Sequence, residues 1–180
     1  MNKLIIAISI VTLLVSCNST TKKTSNMKDN KNQTKKSSTP LDTTPKVTGI
    51  GGIFFFSEDT EKTKDWYSKN LGLETNQWGS SIEFRNANRP EEINYLQWSP
   101  FKNGSEYFLP SKKEFMINYR VQNIEGLLNK LRSNGVTILD TIETYDYGKF
   151  VHIMDDEGNK IELWEPVDSV FTAMGGKTTK

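Results

Sequence analysis

Asp155-Asp156-Glu157-Gly158-Asn159-Lys160-Ile161-Glu162-Leu163-Trp164-Glu165-Pro166 is the stretch whose reading decides the fold. Asp155 to Asn159 is a turn signal between two alternating runs, Phe150 to Met154 and Lys160 to Trp164, and predicts a hairpin. Val151 and Ile153 then share one face with Ile161 and Leu163, while His152 and Glu162 lie across from each other on the opposite face. Upstream, Phe115-Met116-Ile117-Asn118-Tyr119-Arg120-Val121 alternates in the same way, with apolar odd positions. Ile124, Leu127, Leu128 and Leu131 form a helical stripe that packs on that odd face.

This unit occurs twice. Val47 to Pro100 also runs strand, helix, strands, and closes on Trp98-Ser99-Pro100 as the second unit closes on Trp164-Glu165-Pro166. The helices end at Leu71-Gly72 and Asn134-Gly135, so the offset drifts only from 63 positions at the glycines to 66 at the tryptophans. Ile50 to Phe56 reads as a central strand, Asp59 as the cap of a helix carrying Thr63, Trp66, Tyr67 and Leu71, and Ile82 to Arg85 and Ile93 to Trp98 as further strands. Two such halves can pair around a pseudo-two-fold axis and enclose a cleft, the usual place for a ligand.

The ends of the chain differ in chemistry from this part. Residues 1–16 read as a signal peptide: Lys3, then an apolar run from Leu4 to Val15 too short to span a bilayer. The run ends at Leu14-Val15-Ser16-Cys17, which resembles a bacterial lipobox; that implies acylation of Cys17 with palmitate-type chains and a domain held outside the cytoplasm at the cell envelope. Cys17 is the only cysteine, so no disulfide forms within the chain. Residues 17–46 read as a disordered tether: from Asn18 to Lys46 there is no aromatic residue, and seven lysines face two aspartates, a net of +5. Residues 47–167 hold 13 Lys/Arg against 19 Asp/Glu, a net of −6, which argues against a nucleic-acid partner. About 120 residues suffice for one compact domain. The tail, 168–180, ends in Gly175-Gly176-Lys177-Thr178-Thr179-Lys180 and is expected to fray.

Strand parity selects a candidate site. Asn118, Arg120, His152 and Glu162 fall on the sheet face turned away from the helix, together with Met116, Phe150 and Trp164; Trp98 joins them as the counterpart of Trp164. Polar groups mixed with large apolar ones suit a ligand cup better than a plain wet surface. His152 and Glu162 can act as a general base and the carboxylate that fixes its tautomer, or simply form a satisfied cross-strand pair. Arg120 can clamp an anion or pair with Glu162.

Asp59…Trp66-Tyr67…Leu71-Gly72, Val121…Leu128…Leu131…Gly135-Val136 and Asp155 to Leu163 together resemble the vicinal oxygen chelate superfamily, which includes glyoxalase I, bleomycin-resistance proteins, fosfomycin-resistance enzymes and extradiol dioxygenases. The resemblance covers nearly all of 47–166. It implies an α+β fold of two βαβββ modules forming a curved mixed, mostly antiparallel sheet around a cup, with helices on the outer face. Metal-dependent members carry ligands on the first and last strand of each module. Those positions fall here on Gly52, Met116, Leu96 or Gln97, and Glu162, of which only Glu162 is a usual ligand type. No metal or other cofactor is therefore expected. The expected function is small-molecule binding in the cup of a membrane-anchored domain. The alternatives are a lyase, isomerase or dioxygenase with an atypical ligand set, and an envelope interaction module with a vestigial cleft. Modules can pair within one chain or across a homodimer.

Overall fold

The computed structural model describes residues 42–180 except Asn88, so the signal peptide, Cys17 and most of the tether lie outside the described residues. The elements run β1 (Lys46–Ser57), α1 (Thr60–Leu71), β2 (Thr75–Asn76), β3 (Gly79–Asn86), β4 (Arg89–Lys102), a 3-10 turn (Glu106–Phe108), β5 (Phe115–Gln122), α2 (Ile124–Ser133), β6 (Thr137–Ile138), β7 (Glu143–Tyr145), β8 (Gly148–Met154), β9 (Lys160–Pro166) and α3 (Asp168–Met174). Eight strands follow the order β2-β3-β4-β1-β5-β9-β8-β6, and the short β7 pairs with β8 off this path.

The duplicated sequence explains that order. In each module the first strand pairs in parallel with the last, β1 with β4 and β5 with β9, and the other pairings within the modules are antiparallel. The two first strands meet antiparallel at the centre, Ile53 opposite Ile117, so the modules join within one chain.

Helix boundaries follow local chemistry. The Asp59 carboxylate accepts the Lys62 N–H at 3.0 Å, and Gly72 ends α1 in the left-handed region at φ 72°. Asn123 caps α2 by accepting the Gly126 N–H at 3.0 Å. The core under α2 is the one parity requires: Val121, Val151, Ile153 and Leu163 pack with Ile124, Leu127 and Leu128. The first module departs from its sequence pattern. Trp66 is 55% exposed and Leu71 is exposed too, while Lys64 is the buried residue of α1, its ammonium reaching Glu61 at 2.8 Å.

Both edges of the expected domain are wider than the sequence suggested. At the start, Gln122 Nε2 donates to the carbonyls of Asp42 and Thr44, and Asn123 Nδ2 to that of Thr43, so the last tether residues are pinned to the start of α2. At the end, the tail expected to fray forms α3 and then returns to the first module. Thr179 N–H donates to the Ser81 carbonyl at 2.9 Å and its carbonyl accepts from Glu83 N–H at 2.8 Å, a parallel bridge on the outer edge of β3.

Leu163→Ala is expected to cost about 2–5 kcal/mol in urea denaturation, because it opens a cavity under α2. Trp66→Ala should change stability by about 1 kcal/mol or less, since most of that side chain is already in water.

Candidate functional site

Glu162 projects from β9 onto the concave face and is only 3% exposed. Its Oε1 accepts from Asn118 Nδ2 of β5 at 2.5 Å. Its Oε2 accepts from the Tyr107 hydroxyl, carried by the 3-10 turn between the modules, and lies 3.0 Å from His152 Nε2 on β8. His152 and Glu162 are directly opposite in the β8–β9 register, and Asn118 and Glu162 in the β5–β9 register. The other imidazole nitrogen, Nδ1, lies 2.6 Å from Asp140 Oδ2, and the His152 backbone N–H donates to Asp140 Oδ1 at 2.8 Å.

These contacts set the protonation states. Burial pushes the His152 pKa down, but hydrogen bonding and attraction to Glu162, with help from Asp140, outweigh it and leave the pKa above its ordinary value of 6.5; Lys160 opposes. Burial, followed by the charge of Glu162, pushes Tyr107 up, so it remains a neutral donor. Lys160 sends its ammonium to the Tyr107 carbonyl at 2.6 Å.

The concave face is divided into a plugged end and an open one. At the plugged end Phe108 packs with Phe54 and Met116, and Phe56 and Phe101 close around them. Met116, expected beside the ligand, is 0% exposed and belongs to this plug. The open end is a cavity of about 510 Å³ lined by Asn118, Glu162, Phe150 and Trp164 from the expected set. Phe150 and Trp164 stack with centroids 5.7 Å apart. Gly51 also lines the cavity, and a Cβ there would fall 2.1 Å from Asn118 Oδ1 and 2.8 Å from the Trp164 ring, so a larger residue would displace the floor.

Besides Met116, three expected cup residues are elsewhere. Trp98 faces the other side of the sheet and packs on Tyr67 of α1 at 4.5 Å, because the repeat preserves the tryptophan but not its face. Arg120 does point inward, yet it pairs with Asp168 of α3 rather than with Glu162 or open solvent, donates to the Tyr95 carbonyl at 2.9 Å, and lies over the Trp164 ring at 5.0 Å. Burial lowers its pKa and Asp168 opposes that shift. His152 reaches Glu162 from beyond the cavity wall and does not line the cavity.

Sequence reasoning missed Trp78, Tyr95, Tyr147, Phe171 and Met174 on the cavity wall. Phe171 packs on Trp164, Tyr95 and Tyr147 and so carries α3 onto the cup. It went unseen because the segment was read as a fraying tail. Gln97 was visible as the alternative register at the last-strand position, and its amide binds Ser81, Ser99 and the Trp78 carbonyl.

The donor set does not fit a divalent cation. Gly52 has no side chain and lies opposite Gln97 and Asn118, Met116 is in the plug, and both Glu162 oxygens already receive protein donors. Among the described residues no group of three or more His, Cys, Asp or Glu is placed to hold a metal ion.

Residues 49–163 match the model of the Glyoxalase/Bleomycin resistance protein/Dioxygenase superfamily, and the chain belongs to that superfamily. Among solved structures, a variant of methylmalonyl-CoA epimerase from Streptomyces coelicolor in complex with 2-nitronate-propionyl-CoA is similar: 16% identical, over 68% of this chain and 99% of its own, with a TM-score of 0.51. The methylmalonyl-CoA epimerase from Mycobacterium tuberculosis is 21% identical over 73% of this chain and 97% of its own, at 0.49. A superfamily member from Vibrio splendidus is 14% identical over 68% and 99%, at 0.41. At these identities the likeness is one of fold alone. No curated protein matches the sequence.

His152 is the sole histidine, so its ring protons report one titration. Its midpoint is expected above 6.5 in the folded chain, at the ordinary value of about 6.5 in an unfolded chain, and lower than the folded midpoint in a Glu162→Ala chain. Because the folded pKa is the raised one, the stability linked to this proton is fully present below about pH 6.5 and fades as pH rises through the folded midpoint. The groups facing the imidazole in that titration are Glu162, Asp140, Lys160 and the Tyr107 ring. A folded midpoint at or below 6.5 by proton NMR would contradict the assignment.

Proposed function

We propose that this protein is a lipid-anchored envelope protein whose domain binds a small molecule in the open end of the cup, without the superfamily's metal centre. The observation that carries this reading is the pairing of an aromatic-walled cavity of about 510 Å³ with a carboxylate, at the one metal-ligand position of the usual type, whose oxygens already receive Asn118, Tyr107 and His152. A volume of this size suits a ligand of a few fused or linked rings. Asn118, Phe150 and Trp164 contact the ligand in this reading, and Arg120 acts through α3 instead of clamping an anion.

The anchor rests on the lipobox alone. Among the described residues no helix is long and apolar enough to cross a membrane. Cys17→Ser is expected to leave the signal unprocessed at that site and to change membrane fractionation; unchanged processing and fractionation would remove the anchor from this proposal.

A second reading, an enzyme of the lyase, isomerase or dioxygenase type, draws on the Asp140–His152–Glu162 chain, which could move a proton. It is weaker because His152 stands behind Glu162 relative to the cavity.

Native mass spectrometry of the chain purified from its own host should show a copurifying small molecule that Phe150→Ala or Trp164→Ala weakens by roughly 10-fold or more, as expected for loss of a large ring contact. Retention of one equivalent of a transition metal that Glu162→Ala removes would instead support the enzyme reading.

A further inference from the structure

The open end of the cup has a one-sided chemistry. Trp78, Tyr147, Phe150, Trp164 and Phe171 line it, and Trp78 is 72% exposed, so it stands at the mouth. None of the residues lining the cavity is Lys, Arg or His, and Glu162 is its single acidic side chain. The cations nearby are turned to other work. Arg120 is paired with Asp168, and Lys160 points at the Tyr107 carbonyl. His152 lies between Asp140 and Glu162, so those three groups together carry net negative charge whether the imidazole is protonated or neutral.

Asn118, on the cavity wall, gives its N–H to Glu162, and its Oδ1 is buried and has no donor. Aromatic faces carry negative partial charge and attract cations, more strongly when water is excluded. An anion entering the same space would meet the buried Glu162 carboxylate at low effective dielectric, with no cationic side chain on the cavity wall.

We propose that the cup selects planar aromatic cations and disfavours anions, including phosphate-bearing ligands of the kind that coenzyme A represents. This deepens the proposed function and rests on the cup being a binding site at all.

The test compares three ligands of similar three-ring size against the full chain: proflavine, a cation; acridone, neutral; and anthracenecarboxylate, an anion. Binding is followed by ligand fluorescence and calorimetry near neutral pH. Proflavine is expected to bind roughly 10-fold or more tightly than anthracenecarboxylate, with acridone between them. Glu162→Gln should bring the three within about threefold of one another. Should that variant fail to fold, Gln97→Lys places a cation on the wall while leaving the Glu162 contacts in place, and is expected to shift the ratio toward anthracenecarboxylate by roughly 10-fold. Equal or reversed order in the unsubstituted chain overturns the selectivity, as does Gln97→Lys without effect on the ratio. Binding of none of the three overturns the cup as a binding site, and the selectivity with it.

Discussion

A carboxylate removed from water loses several kcal/mol of hydration unless protein donors replace it. Glu162 recovers that hydration from three separate parts of the chain: Asn118 on β5, Tyr107 on the turn joining the modules, and His152 on β8. The rest of the arrangement depends on this. The inter-module turn is held against the sheet because its tyrosine completes the carboxylate's shell, and the same turn delivers Phe108 onto Met116 and Phe54. Sealing one end of the concave face is thus coupled to satisfying one buried charge. Glu162 is thus the anchor of a structural network that joins β5, β8, β9 and the inter-module turn.

A second buried charge organises the opposite end. Arg120, 2% exposed, would be costly without a partner, and Asp168 supplies one from α3. Asp168 also accepts from Asn94 at 3.2 Å, and the Tyr95 hydroxyl is 3.1 Å from that of Thr172, so α3 is fastened to β4 as well as to β5. Each half of the cup floor is thus defined by one ion and the segment it recruits. The cavity is the space left between them.

The second module could be read almost completely from its sequence, because strict alternation in Phe115 to Val121 and in the β8–β9 hairpin leaves one way to bury Val151, Ile153, Ile161 and Leu163. The cross-strand placement of His152 and Glu162 followed from the same parity. The first module was less legible. β1 carries irregularities between Val47 and Gly49 and between Ile50 and Gly52, and each such step resets which side chains face inward. Alternation cannot be counted through a bulge, and the analogy between Trp98 and Trp164 failed for a related reason: position in a repeat was kept while the face was not. Arg120's true partner was hidden because Asp168 lies outside the repeat. Three of the cup's aromatic residues, Trp78, Tyr147 and Phe171, come from loops and the tail, where no periodicity announces a contact.

The return of the C-terminal segment to β3 has a mechanical meaning. The segment leaves the end of β9 in one module, crosses the concave side as α3, and is hydrogen-bonded to Ser81 and Glu83 in the other. A chain fastened at both ends across a hollow behaves as a tie-rod: it limits how far the two halves can splay and converts any splaying into tension on the fastenings. Enlarging the hollow for a bulkier guest therefore means unzipping the tie-rod from β3, which bares an unpaired strand edge. Guest size and resistance to self-association would then be set by the same few backbone hydrogen bonds.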